Sequence, residues 1–126
     1  MSALARYYIG SGAIVSGSDQ ADSDILKGLE MEGATITIGH DGVNLPNDVN
    51  TVVYTLAVQE DNAELLKAKE LAVGGVKILT YAEALGEMSK SKRTIAVCGT
   101  HGKTTTTAMA YYALTAAGVD ASMIVG

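Results

Sequence analysis

The sequence predicts an α/β fold built on parallel strands, and three observations carry that expectation. Short β-branched or apolar runs alternate with helix-period segments along the 126 residues, the order that parallel strands with crossover helices require. A glycine loop, Gly99-Thr100-His101-Gly102-Lys103-Thr104-Thr105, stands between an apolar run and a helical pattern. The polar stretch Ser89-Lys90-Ser91-Lys92 separates this last unit from the strand-helix units before it and marks the expected domain boundary.

Taken in order, Ser2 to Ile9 reads as a helix, with Leu4, Tyr7 and Tyr8 on one face and Gly10 and Gly12 as stop signals. No strand precedes it, so the chain is expected to be a piece of a longer protein, with Met1 internal to it. Ala13 to Ser16 is the next expected strand, followed at its carboxyl end by Gly17-Ser18-Asp19, where open α/β sheets bind ligands. There Ser18 and Asp19 either meet a ligand or turn the chain toward the next helix. That helix spans Asp22 to Glu32, with Ile25, Leu26 and Leu29 inward and Gly33 beyond its end.

Thr35 to Ile38 is β-branched and strand-like; Gly39 to Gly42 turns the chain, with His40 read as a surface loop residue. Asn50 to Thr55 reads as a buried strand. Asp61, with Glu64 three residues on, is expected to cap a helix whose Leu65, Ala68 and Ala72 face the sheet and which ends at Gly74-Gly75. Val76 to Leu79 follows as a strand, and Thr80 with Glu83 forms a capping-box pattern for a short helix carrying Leu85 and Met88. Beyond the polar stretch come an expected strand over 94–98, the glycine loop, a helix to about Ala117 with Gly118 at its end, and a last strand from Ala121.

Composition removes several function classes. Nine basic against fourteen acidic residues give a net charge of -5, which disfavours nucleic acid as a partner because phosphate backbones call for clustered Lys and Arg. Phe and Trp are absent and the six tyrosines are scattered, so no stacking platform for single strands is expected. No apolar run is long enough to cross a bilayer, and no membrane partner is expected. Met1 to Tyr8 lacks a basic and then apolar leader, so the expected location is cytoplasmic. The single cysteine, Cys98, cannot form an intrachain disulfide and is expected to be a small buried side chain.

The chemistry concentrates in the glycine loop. Strand, glycine turn and helix N-terminus come in the order a phosphate cradle needs: Gly99 and Gly102 let backbone N–H groups approach phosphate oxygens, and the first turn of the helix adds partial positive charge. Lys103 is expected on the β and γ phosphates, the Thr104 hydroxyl on Mg²⁺, and the Thr105 hydroxyl on a nearer phosphate. The loop is a variant, because G-x-x-x-x-G-K-[ST] places a glycine at position 97, where this chain has Val97. The alternative is an ordinary glycine turn between strand and helix.

The string Gly99 to Thr106 resembles the ATP-binding loop of the Mur ligases, and His101, where other members more often carry asparagine, resembles the alanine-adding branch. Val15 to Asp19, Ile38-Gly39-His40 and Asp61 to Leu65 extend the resemblance over essentially the whole chain. It implies a Rossmann-like UDP-sugar-binding domain over 1–90 and the start of a P-loop ATPase domain over 91–126. It also implies an ATP- and Mg²⁺-dependent ligase joining L-alanine to UDP-N-acetylmuramate through an acyl phosphate, for peptidoglycan precursor synthesis. Lys103 would be the catalytic cation, Thr104 the metal ligand, and Gly99, Thr100, His101, Gly102 and Thr105 the rest of the nucleotide cradle. Ser18 and Asp19 would face the uridine nucleotide. Thr55 would approach the sugar nucleotide from Thr55-Leu56-Ala57, which keeps one hydroxyl of the family's Ser-Ser-Ala turn and loses the other. A muropeptide-recycling ligase and a non-catalytic nucleotide-binding module are the alternatives, and the chain on its own is expected to be inactive.

Overall fold

A computed structural model describes residues 1–39, 41 and 44–125; the reading of His40 lies outside the described residues. The chain divides into two compact units, Met1–Ser91 and Lys92–Gly126.

The first unit opens on α1 (Ser2–Gly10), followed by β1 (Ser16–Asp19), α2 (Asp24–Met31), β2 (Thr35–Ile38), β3 (Thr51–Tyr54), α3 (Ala63–Ala72), β4 (Lys77–Thr80) and α4 (Tyr81–Lys90). Its strands form two parallel pairs: β1 with β2, in the register Ser16 to Thr35 through Asp19 to Ile38, and β3 with β4, from Thr51 and Lys77 to Tyr54 and Thr80. The core lies where Leu4 of α1 meets Leu79 of β4 and Ala84 of α4, with Tyr8, Val53, Tyr81, Leu85 and Met88 packed around it. Leu65 and Ala68 are buried on α3, and Leu29 and Ala34 are buried around the end of α2. Arg6 clasps both carboxylate oxygens of Glu32, at 2.8 and 3.0 Å, and ties α1 to the end of α2. Among the described residues no helix is long and apolar enough to cross a membrane.

Four expectations change here. The strand expected to be buried over 50–55 spans Thr51–Tyr54 with Thr51 exposed and the rest half-buried, because β4 alone pairs with it among the described residues. The first strand lies at Ser16–Asp19 and not at 13–16, because its ladder starts where the Thr35 N–H reaches the Val15 carbonyl (3.0 Å); Ile14, for all its β-branching, is fully exposed. Gly17, Ser18 and Asp19 are therefore strand residues, with Asp19 closing the strand. Ile25 is 58 % exposed, since α2 starts only at Asp24 and turns Leu26 and Leu29 inward instead. The cap of α3 is Asn62, whose Oδ1 accepts from Glu64 N (3.0 Å) and Leu65 N (3.1 Å), and not Asp61 one residue earlier.

The cap of α4 follows the sequence pattern. Thr80 Oγ1 accepts from Glu83 N at 3.3 Å, while the Glu83 carboxylate takes the Thr80 N–H and hydroxyl, both at 2.8 Å. Those donations hold the Glu83 carboxyl below the usual carboxylate range. A depressed folded value makes the contribution complete above the ordinary carboxylate titration and lost as pH falls through the folded value. Acidification is therefore expected to lower the protection factors of Tyr81 to Ala84, taken against the intrinsic exchange rate at each pH, and Glu83→Gln, which cannot titrate, is expected to flatten that response. Identical pH dependence in the two proteins would contradict the assignment. Thr80→Ala removes the reciprocal cap and is expected to cost about 1 kcal/mol of stability.

In the second unit α5 (Lys103–Ala116) closes with Gly118 N–H on the Thr115 carbonyl and Val119 N–H on the Leu114 carbonyl, both 3.0 Å, a Schellman end. The strands expected over 94–98 and from Ala121 are not formed: an apolar run becomes a strand only when a neighbour completes its ladder, and neither run has one among the described residues. For the same reason Cys98 is exposed and not buried. No residue of α5 is buried, and Met109 and Tyr112 are about two-thirds exposed, at 68 % and 69 %.

Candidate phosphate loop and nucleotide-side residues

The second unit holds the glycine loop Gly99–Thr105, from which phosphate binding is expected. Gly102 adopts φ +75° and ψ +4°, the left-handed conformation that a Cβ disfavours, and serves as the N-cap of α5. Gly99, at φ +155°, is the other backbone position in the loop outside the ordinary range for L-residues. Between them Thr100 and His101 make an exposed bend. The Gly102 carbonyl accepts from Thr106 N at 2.9 Å and so starts the helical ladder. This leaves the N–H groups of Lys103, Thr104 and Thr105 at the open end of the helix.

Three of the other four helices contrast with that end, whereas α1, behind Met1, also has no side-chain cap. Ser23, Asn62 and Thr80 each turn a side-chain oxygen onto the first N–H groups of α2, α3 and α4. At α5 a glycine stands in the capping position and no side chain makes the bond. Backbone donors thus face outward at a positive helix end, the arrangement that suits an anion. Lys103 adds a full charge at the same place: its Nζ lies 2.7 Å from the Gly99 carbonyl, so the ammonium spans the loop from the helix back to its first glycine. Thr104 and Thr105 occupy the first turn with exposed side chains. No group of three or more His, Cys, Asp or Glu side chains suited to a metal occurs among the described residues.

The first unit holds the three residues expected on the sugar-nucleotide side. Ser18, at the third position of β1, donates its hydroxyl to the Glu64 carboxylate in the first turn of α3, a contact between residues 46 apart in sequence. Asp19 ends the strand with its side chain exposed, and its Oδ1 accepts from Gln20 N at 2.7 Å. Thr55 follows β3 and borders a shallow depression of about 240 Å³ with Leu56, Thr80, Tyr81 and Ala82. Ser18 and Thr55 thus have different neighbours: α3 for one, the β4–α4 junction for the other. Two participants escaped the sequence reading. Glu64 registers there only as a capping residue, and Lys67, whose Nζ donates to the Leu45 carbonyl at 2.6 Å, carries no local signal of that contact.

A family model described as "Mur ligase family, catalytic domain" matches residues 1–93. Among curated proteins, the chain is 46 % identical over 126 residues to a protein of Carboxydothermus hydrogenoformans named UDP-N-acetylmuramate--L-alanine ligase; the alignment takes in all of this chain and 26 % of that relative. Proteins of the same name from Clostridium novyi (46 %) and Hydrogenobaculum sp. (41 %) also align with all of this chain, over 27 % of their own length. The chain thus spans about a quarter of the relatives it matches.

Proposed function

The chain belongs to the Mur ligase family, and from that premise we propose that it is part of an ATP-dependent ligase that joins L-alanine to UDP-N-acetylmuramate during the synthesis of peptidoglycan precursors. The relatives whose names specify that reaction align with every residue here. The observation that carries the reading is the N-terminus of α5, uncapped by any side chain, set behind left-handed Gly102 and spanned by Lys103.

In this reading residues 1–90 bind the UDP-sugar and residues 91–126 begin the ATP-binding domain. Bound ATP supplies the phosphoryl group that activates the substrate carboxylate, and the amine of L-alanine then displaces phosphate to leave an amide. The chain's own part is electrostatic. The N–H groups of Lys103, Thr104 and Thr105 hold phosphate oxygens, and Gly99 to Gly102 lets the backbone approach them. The Lys103 ammonium balances negative charge on the transferring group, and the Thr104 hydroxyl helps hold Mg²⁺. Thr100 and His101 shape the bend. Ser18, Asp19 and Thr55 bind the UDP-sugar at the carboxyl ends of their strands.

The test is a product assay on the complete ligase with ATP, Mg²⁺, UDP-N-acetylmuramate and either L-alanine or a preformed peptide. Amide product and phosphate release that depend on L-alanine support the reading; product from the peptide alone identifies a recycling ligase. Asp19→Ala is expected to raise the KM for UDP-N-acetylmuramate about tenfold or more, the scale of one hydrogen bond to a charged group, and to leave the KM for ATP unchanged. Equal effects on both constants would make Asp19 a structural residue.

A further inference from the structure

Helix α3 bonds both to β1 near its end and to the connection that follows β2. β1 and β2 are parallel and end together, Asp19 opposite Ile38, so the chain leaving each strand emerges at one edge. Glu64 and Lys67 stand three residues apart on α3 and so share one of its faces. Glu64 accepts the Ser18 hydroxyl, and Lys67 donates to the Leu45 carbonyl in the connection that follows β2. Both contacts are partly buried, where solvent competes less for them than at an open surface. The helix is itself well anchored: Leu65 and Ala68, the residues that follow Glu64 and Lys67, are buried, and Asn62 caps its start.

We infer that Glu64 and Lys67 are positioning residues for the UDP-sugar. Neither needs to touch it. Glu64 fixes the rotamer of Ser18 and with it the end of β1 that presents Asp19; Lys67 fixes the β2–β3 connection at Leu45. One rigid helix thereby sets both segments that flank the nucleotide side of the sheet edge. The inference rests on the proposed assignment of Ser18 and Asp19 to the UDP-sugar.

The test uses the complete ligase carrying Glu64→Ala, Glu64→Gln, Lys67→Met, Ser18→Ala and the Ser18→Ala/Glu64→Ala pair, with steady-state constants for UDP-N-acetylmuramate and ATP and the Tm of each variant. Glu64→Ala and Lys67→Met are each expected to raise the KM for UDP-N-acetylmuramate about fivefold, with kcat, the KM for ATP and Tm little changed. Glu64→Gln keeps an oxygen for the Ser18 hydroxyl and is expected to recover most of the loss. The double variant is expected to be no worse than the poorer single one, because Glu64 acts through Ser18. Unchanged KM values, additive losses at Ser18 and Glu64, or matching losses in both KM values with a lower Tm overturn the inference. A wild-type ligase that does not accept UDP-N-acetylmuramate overturns the proposed function as well, whereas normal wild-type kinetics with silent variants overturn this inference alone.

Discussion

Lys103→Ala in the complete ligase is expected to lower turnover about a hundredfold or more, the usual cost of removing one positioned charge from a phosphoryl-transfer site. The expectation follows from where the ammonium lies. It bridges from the first residue of α5 to the Gly99 carbonyl, 2.7 Å away, at a helix N-terminus that no side chain caps. Because the side chain is exposed, its removal is expected to leave Tm nearly unchanged. The loss therefore falls on kcat and on ATP, not on folding. Near-normal turnover in Lys103→Ala would remove Lys103 from the site.

Gly102→Val is expected to have the next largest effect, raising the KM for ATP about tenfold, because left-handed backbone costs an L-residue roughly 1–2 kcal/mol and a β-branched one more. Space is not the difficulty: the nearest atom to a Cβ at this position is the Thr106 hydroxyl oxygen, 4.0 Å away. The cost lies in φ itself, and a backbone that escapes it turns the first N–H groups of α5 away from a shared target. Gly102→Asn, a residue that visits this conformation more readily, is expected to retain more ATP affinity than Gly102→Val. The KM for UDP-N-acetylmuramate is expected to stay constant in both. Equal affinity for ATP in the valine and wild-type proteins would mean that the conformation of Gly102 does not serve the nucleotide.

Features written in adjacent residues were legible from the sequence. The Thr80–Glu83 box, the end of α5 at Gly118 and the strand Thr35–Ile38 each rest on local spacing, and each formed as read. The errors came where a partner distant in sequence decides the outcome. Ala13, Ile14 and Val15 look like a strand, yet pairing with Thr35–Ile38 selects Ser16–Asp19. Ile95 to Cys98 is just as apolar and has no ladder partner among the described residues. Asp61 and Asn62 are both competent caps, and the path of the chain into α3 chose Asn62. The glycine turn before α5 and the place of Lys103 at the first residue of that helix could be read because they are contiguous. The Ser18–Glu64 and Lys67–Leu45 contacts could not, since they join residues 46 and 22 apart.

The central claim is that Gly99 to Thr105 holds the phosphates of ATP, and hydrogen exchange over the peptide from Gly99 to Thr106 in the complete ligase, with and without ATP and Mg²⁺, tests it most directly. The predicted result is slower exchange at Gly102 to Thr105 when both are present, weaker protection without Mg²⁺, and none in Lys103→Ala at the same nucleotide concentration. Turnover of ATP with exchange in this peptide unchanged would contradict it.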